Sequence, residues 1–137
     1  MVGASNGCSV AVRLAVAYPQ LVERLVLAWP ATGGDAAVDE RTRVGLISQG
    51  ASDAVADGLL GAETLRGVRD GELAGLGIPV AVLPSVPENP MHQRKTVDAL
   101  LKLIPVSREL PGCPEPPNPR FPPHKDELVA TLADFSG

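Results

Sequence analysis

The sequence opens on a Gly-x-Ser-x-Gly motif, Gly3 to Gly7, which leads directly into an apolar segment from Cys8 to Tyr18. A serine in this pattern sits at a sharp turn from a strand into a helix, with its hydroxyl pointing out of the fold. We expect both flanking positions to be glycine because the strained turn leaves no room for a Cβ there. The N-terminal end of the helix would direct positive charge toward Ser5, and the backbone N–H of Asn6 would stabilise an oxyanion.

Two other structures fit the same five residues. One is a Gly-rich turn in which Ser5 or Asn6 caps a buried helix. The other is a phosphate-binding turn at a helix N-terminus. No lysine follows in the Gly-Lys-Ser/Thr manner and there is no Gly-x-Gly-x-x-Gly pattern, which argues against nucleotide binding. The motif alone does not choose between the remaining structures, so the rest of the chain has to decide.

Composition narrows the function classes. The chain has 137 residues, of which 45% are apolar, and this fits one domain with its own core. The net charge is −4 and the basic residues are scattered, which argues against partners such as nucleic acids or acidic membranes. No stretch approaches the roughly 20 apolar residues of a membrane span, and the start lacks the pattern of a signal peptide, so we expect a cytoplasmic protein. Cys8 resembles a core residue and Cys113 a loop thiol; without metal-ligand spacing, we expect neither a metal nor a cofactor.

Hydrophobic patterning predicts alternating helices and strands. Short apolar runs at 25–29 and 78–83 are typical of strands buried on both faces of a parallel sheet, and residues 106–110 are predicted to form a third, shorter strand. Helices are predicted from Cys8 to Tyr18, buried on most faces, and over a stripe from Val97 to Ile104. A last helix begins near Pro123, with four side chains facing inward: Leu128, Val129, Leu132 and Phe135. Between 35 and 76 we predict three short helices, the first with Val38, Val44 and Ile47 on its apolar side, the second capped by Ser52 and the third spanning 62–73.

The motif and this order of elements together resemble the C-terminal half of an α/β-hydrolase-fold protein, in particular the bacterial esterase-type hydrolases. Residues 18–27 are similar to that family's link from the elbow helix to the next strand. Residues 78–84 resemble the strand leading to its acid loop, and residues 128–135 its closing helix. The resemblance implies an α/β fold class, a partial α/β-hydrolase fold with a parallel sheet flanked by helices and a small helical cap. Three segments follow: 1–34 with the elbow, 35–76 as the cap over an acyl pocket, and 77–137 as the rest of the core.

The resemblance also implies serine-dependent hydrolysis of a small ester or similar acyl substrate, with Ser5 as nucleophile and the N–H of Asn6 as an oxyanion donor. The family's acid loop commonly reads Asp-Pro-x-His; here Asn89 stands at the aspartate's position, and Glu88, just before it, is our predicted acid. The alternative for Glu88 is an ordinary solvated carboxylate. His92 is expected at the rim of the site.

The family's general base lies before the last helix, and its usual place falls near Asn118, within a proline-rich run. His124 is the only histidine downstream of that run, so it is the predicted base, with a surface histidine in the first helical turn as the alternative. Trp29 and Pro30 follow a predicted strand and would line the pocket, although Trp29 fits the core equally well.

Two further expectations concern what the chain lacks by comparison with this family. Only two residues precede Gly3, so most of the strand before the elbow and the loop that supplies a second oxyanion donor have no counterpart. We therefore expect a fragment whose exposed sheet edge allows self-association. The missing aspartate and histidine also favour an alternative function, a decayed hydrolase-fold binding protein for a small apolar ligand.

Overall fold

The computed structural model describes residues 1–137 and contains one four-stranded sheet. Its strands are β1 (Val2–Ala4), β2 (Leu25–Ala28), β3 (Val80–Leu83) and β4 (Ser107–Glu109), in the spatial order β1-β2-β3-β4. All three pairings are parallel, so the carboxyl ends of the strands lie along one edge of the sheet. The outer side of β1 has no partner strand. The three predicted strands are confirmed, each somewhat shorter than its predicted range; β2 and β3 are buried throughout, whereas β4 is mostly exposed.

Helices connect the strands and cover both faces of the sheet. They are α1 (Gly7–Ala17), α2 (Ala36–Ser48), α3 (Asp53–Leu60), α4 (Asp70–Ala74), α5 (Arg94–Leu103) and α6 (Lys125–Ser136), with short 3-10 turns at Pro19–Leu21 and Pro122–His124. Side chains of Asp35 and Ser52 accept hydrogen bonds from the backbone N–H groups of Val38 and Val55, which explains why α2 and α3 begin where they do. None of the helices has the length and apolar character needed to cross a bilayer.

Alternate residues of the central strands point into two separate cores. Leu25, Leu27, Val80 and Val82 pack on one face, against α1, α4 and α5. Val26, Ala28, Ala81 and Leu83 pack on the other, mainly against α6 and the segment that follows β4. The continuous apolar runs of β2 and β3 are therefore needed because both faces of these strands are covered.

Four expectations about helices are wrong. α1 is not buried on most faces: Val10 is 68% exposed, and Leu14, Val16 and Tyr18 are also exposed. The third predicted helix is only the short α4, because residues 64–68 form a buried strap of turns and bends instead. In α2, Val38 is buried but Val44 and Ile47 are exposed, and in α6 Val129 faces outward. Apolar spacing alone does not reveal which face of a helix a small domain can cover.

Candidate active site

Ser5 lies at the turn between β1 and α1, at the carboxyl edge of the sheet. Its backbone has φ of 51°, in the left-handed region that few non-glycine residues adopt, and its N–H donates to the carbonyl of Ala28 at 2.9 Å. A Cβ at Gly3 would lie 2.7 Å from the carbonyl oxygen of Gly7, so this glycine is sterically required. A Cβ at Gly7 would meet nothing within 4 Å, so the expected need for glycine there is wrong.

The buried side chain of Cys8 supports this turn from the core side. Its Sγ lies 3.3 Å from the carbonyl oxygen of Gly3 and 3.4 Å from that of Ala28, so one thiol links both strands to the first turn of α1. Burial raises the pKa of Cys8 to about 12, against a smaller opposing effect of the hydrogen bond to Ala28. A fully buried thiol of this kind is a packing residue rather than a nucleophile.

The Ser5 hydroxyl is hydrogen-bonded to a histidine, and that histidine to a carboxylate. Ser5 Oγ lies 2.7 Å from His92 Nε2, and His92 Nδ1 lies 2.8 Å from Glu115 Oε1. An ionised carboxylate only accepts hydrogen bonds, so the proton sits on Nδ1 and the lone pair of Nε2 faces the hydroxyl. The imidazole and carboxylate are largely covered, with side-chain exposures of 11% and 21%. The three side chains therefore form a continuous hydrogen-bonded chain from a hydroxyl through an imidazole to a carboxylate.

Asn89 fixes the position of the histidine. His92 lies in the loop between β3 and α5, and Asn89 Oδ1 accepts hydrogen bonds from the backbone N–H groups of Met91 at 3.0 Å and His92 at 3.1 Å. The Nδ2 of the same amide donates to Glu115. One side chain therefore spans the histidine loop and the carboxylate loop.

Glu115 lies after β4, within the proline-rich run. Its Oε1 accepts from the Ser85 hydroxyl at 2.8 Å as well as from Asn89 and His92. Burial alone would raise the pKa of Glu115, but the hydrogen bonds and the charge of His92 together outweigh it and hold the pKa below its ordinary value. The group is therefore held as a carboxylate at neutral pH.

The structure does not bring the predicted acid and base to Ser5, and both assignments are corrected here. Glu88 is exposed and accepts a hydrogen bond from the backbone N–H of Arg94 at 2.8 Å, at the start of α5. His124 ends the last 3-10 turn and lines a small crevice beside Cys113 and Thr131. Instead, His92, which we expected only at the rim, is hydrogen-bonded to Ser5. Glu115, which was not predicted as a site residue, is hydrogen-bonded to His92.

Trp29 and Pro30 are buried at the carboxyl end of β2. The indole Nε1 of Trp29 donates to the carbonyl of Cys113 at 3.0 Å, and its ring meets Phe121 edge-on at 6.3 Å. Trp29 therefore supports the Glu115 loop from within the core and does not line a pocket. Its backbone also lies in the left-handed region, with φ of 47°. No contact in the structure supports the expected position of Pro30 in the wall of a pocket.

The two loops carry the opposite residue types from those that the family resemblance implies. A histidine, His92, follows β3, where the family carries its acid, and a carboxylate, Glu115, follows β4, where the family carries its base. The sequence contains a signal for this exchange, which is seen when the two loops are compared. Asn89 replaces the usual aspartate, and Glu115 is the one carboxylate in the run from Pro111 to Pro123 where a histidine would fall. A swap of the two residue types between the two loops was the signal that the sequence interpretation overlooked.

Asn6 provides the only predicted oxyanion donor. Its backbone N–H makes no hydrogen bond within the chain, and it directly follows the nucleophile at the start of α1. Its side-chain Oδ1 accepts from the Nη1 of Arg66 at 3.2 Å, which holds the residue against the buried strap. No group of three or more His, Cys, Asp or Glu side chains is arranged to hold a metal ion.

No protein-family model and no curated protein sequence matches this chain. Solved structures do match it at low sequence identity. Rv0554 from Mycobacterium tuberculosis is 17% identical with a TM-score of 0.68, over 98% of this chain and 63% of that protein. An α/β hydrolase from Sphaerobacter thermophilus DSM 20745 is 15% identical with a TM-score of 0.61, over 99% of this chain and 66% of that one.

The meta-cleavage product hydrolase CumD from Pseudomonas fluorescens IP01 matches similarly, with 17% identity and a TM-score of 0.62, over 98% of this chain and 62% of CumD. The chain thus has the fold of one part of these proteins and spans less than two thirds of their length. Together with the four parallel strands and flanking helices, these matches identify a partial α/β-hydrolase fold.

Proposed function

On the premise of a partial α/β-hydrolase fold, we propose that this protein is a serine hydrolase that cleaves a carboxylic ester or similar acyl compound. The observation that carries the proposal is the chain of two hydrogen bonds from Ser5 through His92 to Glu115. The role of each residue follows from what it can do chemically at its position.

In this mechanism Ser5 Oγ attacks the acyl carbon while His92 Nε2 accepts its proton. Glu115 keeps the proton on Nδ1 and stabilises the imidazolium as it forms. The N–H of Asn6 donates to the developing oxyanion, a contact that is typically worth about 10²–10³ in rate per donor. His92 then protonates the leaving alcohol, and a water activated by the same nitrogen releases the acid and restores Ser5.

The alternative, a binding protein with a decayed catalytic site, rested on the missing aspartate and histidine. Glu115 and His92 supply those two chemical functions from each other's loops, so the argument for decay loses its basis. The left-handed backbone at Ser5 supports the same conclusion, because strain of this kind is seldom retained without a role in a site.

A fluorophosphonate probe tests the proposal without knowledge of the natural substrate, since phosphonylation needs an activated serine. We expect stoichiometric labelling at Ser5, none in Ser5→Ala, and strongly slowed labelling in His92→Gln. Peptide mass spectrometry would locate the label. No labelling of the folded chain, or labelling at another serine, would overturn the proposal.

A further inference from the structure

Thr32, in the loop between β2 and α2, is hydrogen-bonded to both residues that flank His92. Its backbone N–H donates to the carbonyl of Met91 at 2.9 Å. Its hydroxyl oxygen, Oγ1, accepts from the backbone N–H of Gln93, also at 2.9 Å. Since Thr32 and Gln93 are 61 positions apart in the sequence, the loop after β3 is held by a distant part of the chain as well as by its own residues.

These two hydrogen bonds fix the backbone on either side of the His92 Cα atom. The Met91 carbonyl belongs to the peptide unit before that atom, and the Gln93 N–H belongs to the peptide unit after it. Because each peptide unit is planar, holding both of them sets φ and ψ of His92, and with them the direction of the bond that carries the imidazole. Asn89 holds the N–H of His92 from within the loop, and Thr32 adds the hold on both neighbours.

Thr32 is itself firmly held. It is fully buried, and its hydroxyl lies 3.0 Å from the hydroxyl of Thr96 on α5. Its carbonyl accepts from the Nη2 of Arg66 at 3.4 Å, and the same guanidinium donates to Asn6 Oδ1 at 3.2 Å. A residue with these partners is fixed relative to α5 and to the turn that carries the nucleophile, so it can act as an anchor for a neighbouring loop.

We propose that Thr32 is a positioning residue, which keeps the imidazole of His92 in line with Ser5 by holding the peptide units on both sides of His92. This rests on the proposed function, because it takes His92 as the general base. Thr32 is fully buried and touches no reacting group, so its hydroxyl changes how well the base is placed and not how the substrate binds. Small misplacements of a catalytic group are costly, about 10²-fold in rate for about 1 Å.

The first test removes the Thr32 hydroxyl from the full chain. Thr32→Val has nearly the same shape and keeps the backbone N–H bond to Met91, but it leaves the N–H of Gln93 without its acceptor. We expect kcat for a p-nitrophenyl ester to fall about tenfold, with KM within about twofold of the parent. Thr32→Ser, which keeps the hydroxyl, should hold kcat within about twofold. An unchanged kcat in Thr32→Val, or an equal loss in Thr32→Ser, would overturn the proposal.

Thr96→Val is the matched control, because it removes the other hydroxyl of the same buried pair. The Thr96 hydroxyl is bonded to Thr32 alone and not to residues 91–93. We expect the two valine variants to lose similar stability in urea unfolding, while kcat of Thr96→Val stays within about twofold of the parent. Equal losses of kcat would overturn the proposal. If Thr32→Val does not fold, Thr32→Cys, whose thiol is a weaker acceptor, should lower kcat about threefold or more, and an unchanged kcat would have the same meaning.

A second readout needs no turnover. In a His124→Gln background His92 is the only histidine, and its Nδ1 proton, bonded to Glu115, should give a downfield NMR signal. We expect this signal to weaken by exchange with water in Thr32→Val and to persist in Thr96→Val; equal signals would overturn the role of Thr32. The two proposals fail separately. A parent chain that the fluorophosphonate does not label removes both, whereas a labelled parent with equal kcat in the two valine variants removes only the role of Thr32.

Discussion

The loop after β3 and the loop after β4 each deliver one member of the site, but they are held in place by different means. The first loop is braced locally, since the Asn89 side chain accepts hydrogen bonds from the backbone N–H groups of Met91 and His92, two and three residues away. The second contains seven prolines between 111 and 123, which lack N–H donors, and it depends on distant groups such as Trp29 and Ser85. His92 is thus positioned partly by its own loop, whereas Glu115 is positioned by the rest of the molecule.

The strongest test of this difference between the two loops is to remove the His92 imidazole from the loop after β3. His92→Gln should lower kcat/KM for a p-nitrophenyl ester by about 10⁴-fold or more, because the Ser5 hydroxyl loses its proton acceptor. His124→Gln is the matched control, as these are the only two histidines, and we expect a change of less than about twofold. Comparable losses in both variants would contradict the assignment of the base to the first loop.

Removing the acid from the second loop should have a somewhat smaller effect. Glu115→Gln should lower kcat/KM by about 10²–10⁴-fold, since an amide can still accept from His92 but cannot stabilise the imidazolium by charge. Glu88→Gln should keep the rate and lose about 0.5–1 kcal/mol of stability, because its carboxylate accepts from the N–H of Arg94 at the start of α5. Steady-state kinetics and urea unfolding of both variants measure the two effects. A larger rate loss in Glu88→Gln would return the acid to the first loop.

Asn89 is the one side chain that joins the two loops, and its removal tests whether they depend on each other. Asn89→Ala should lower kcat about tenfold with little change in KM, because it frees both the histidine backbone and the carboxylate. Asn118→Ala provides the control, since the Asn118 amide only accepts from the nearby Arg120 N–H within the second loop. A larger effect of Asn118→Ala would mean that the second loop is organised locally after all.

The smallest expected effect is the pH dependence of stability contributed by Glu115. Its folded pKa lies below the ordinary 4.5, so its contacts contribute fully above that pH, and their contribution is lost as the pH falls through 4.5 toward the folded pKa. The free energy of unfolding should therefore decline below about pH 5 in the parent chain and decline less steeply in Glu115→Gln. Urea unfolding at several pH values measures both slopes, and equal slopes would contradict the contacts assigned to Glu115.

Local features of the fold could be predicted from the sequence, and so could the nucleophile position. The run from Leu25 to Ala28, the caps at Asp35 and Ser52 and the turn at Ser5 are each encoded by a few neighbouring residues. Such signals depend on backbone sterics and on short-range hydrogen bonds, which single sequences record well.

The rest of the site depends on contacts between distant residues, and its one trace in the sequence is the exchange of residue types at Asn89 and Glu115. Glu115 is placed by donors 23 to 30 residues away, and nothing in its own neighbourhood distinguishes it from a solvated carboxylate. His92 was visible in the sequence, but the family pattern directed attention to an acid in its loop. The resemblance therefore transferred the fold correctly, whereas the roles that we propose for His92 and Glu115 differ from those it implied.

The left-handed backbone of Trp29 has a consequence for how this protein can be stabilised. A bulky residue in that conformation costs about 1–3 kcal/mol, which a glycine would recover. Glycine would also delete the indole that holds the carbonyl of Cys113, two residues before Glu115. The substitution that most relaxes the chain at this point would thus loosen the carboxylate, so that heat tolerance and a firmly held Glu115 would oppose one another at a single buried residue.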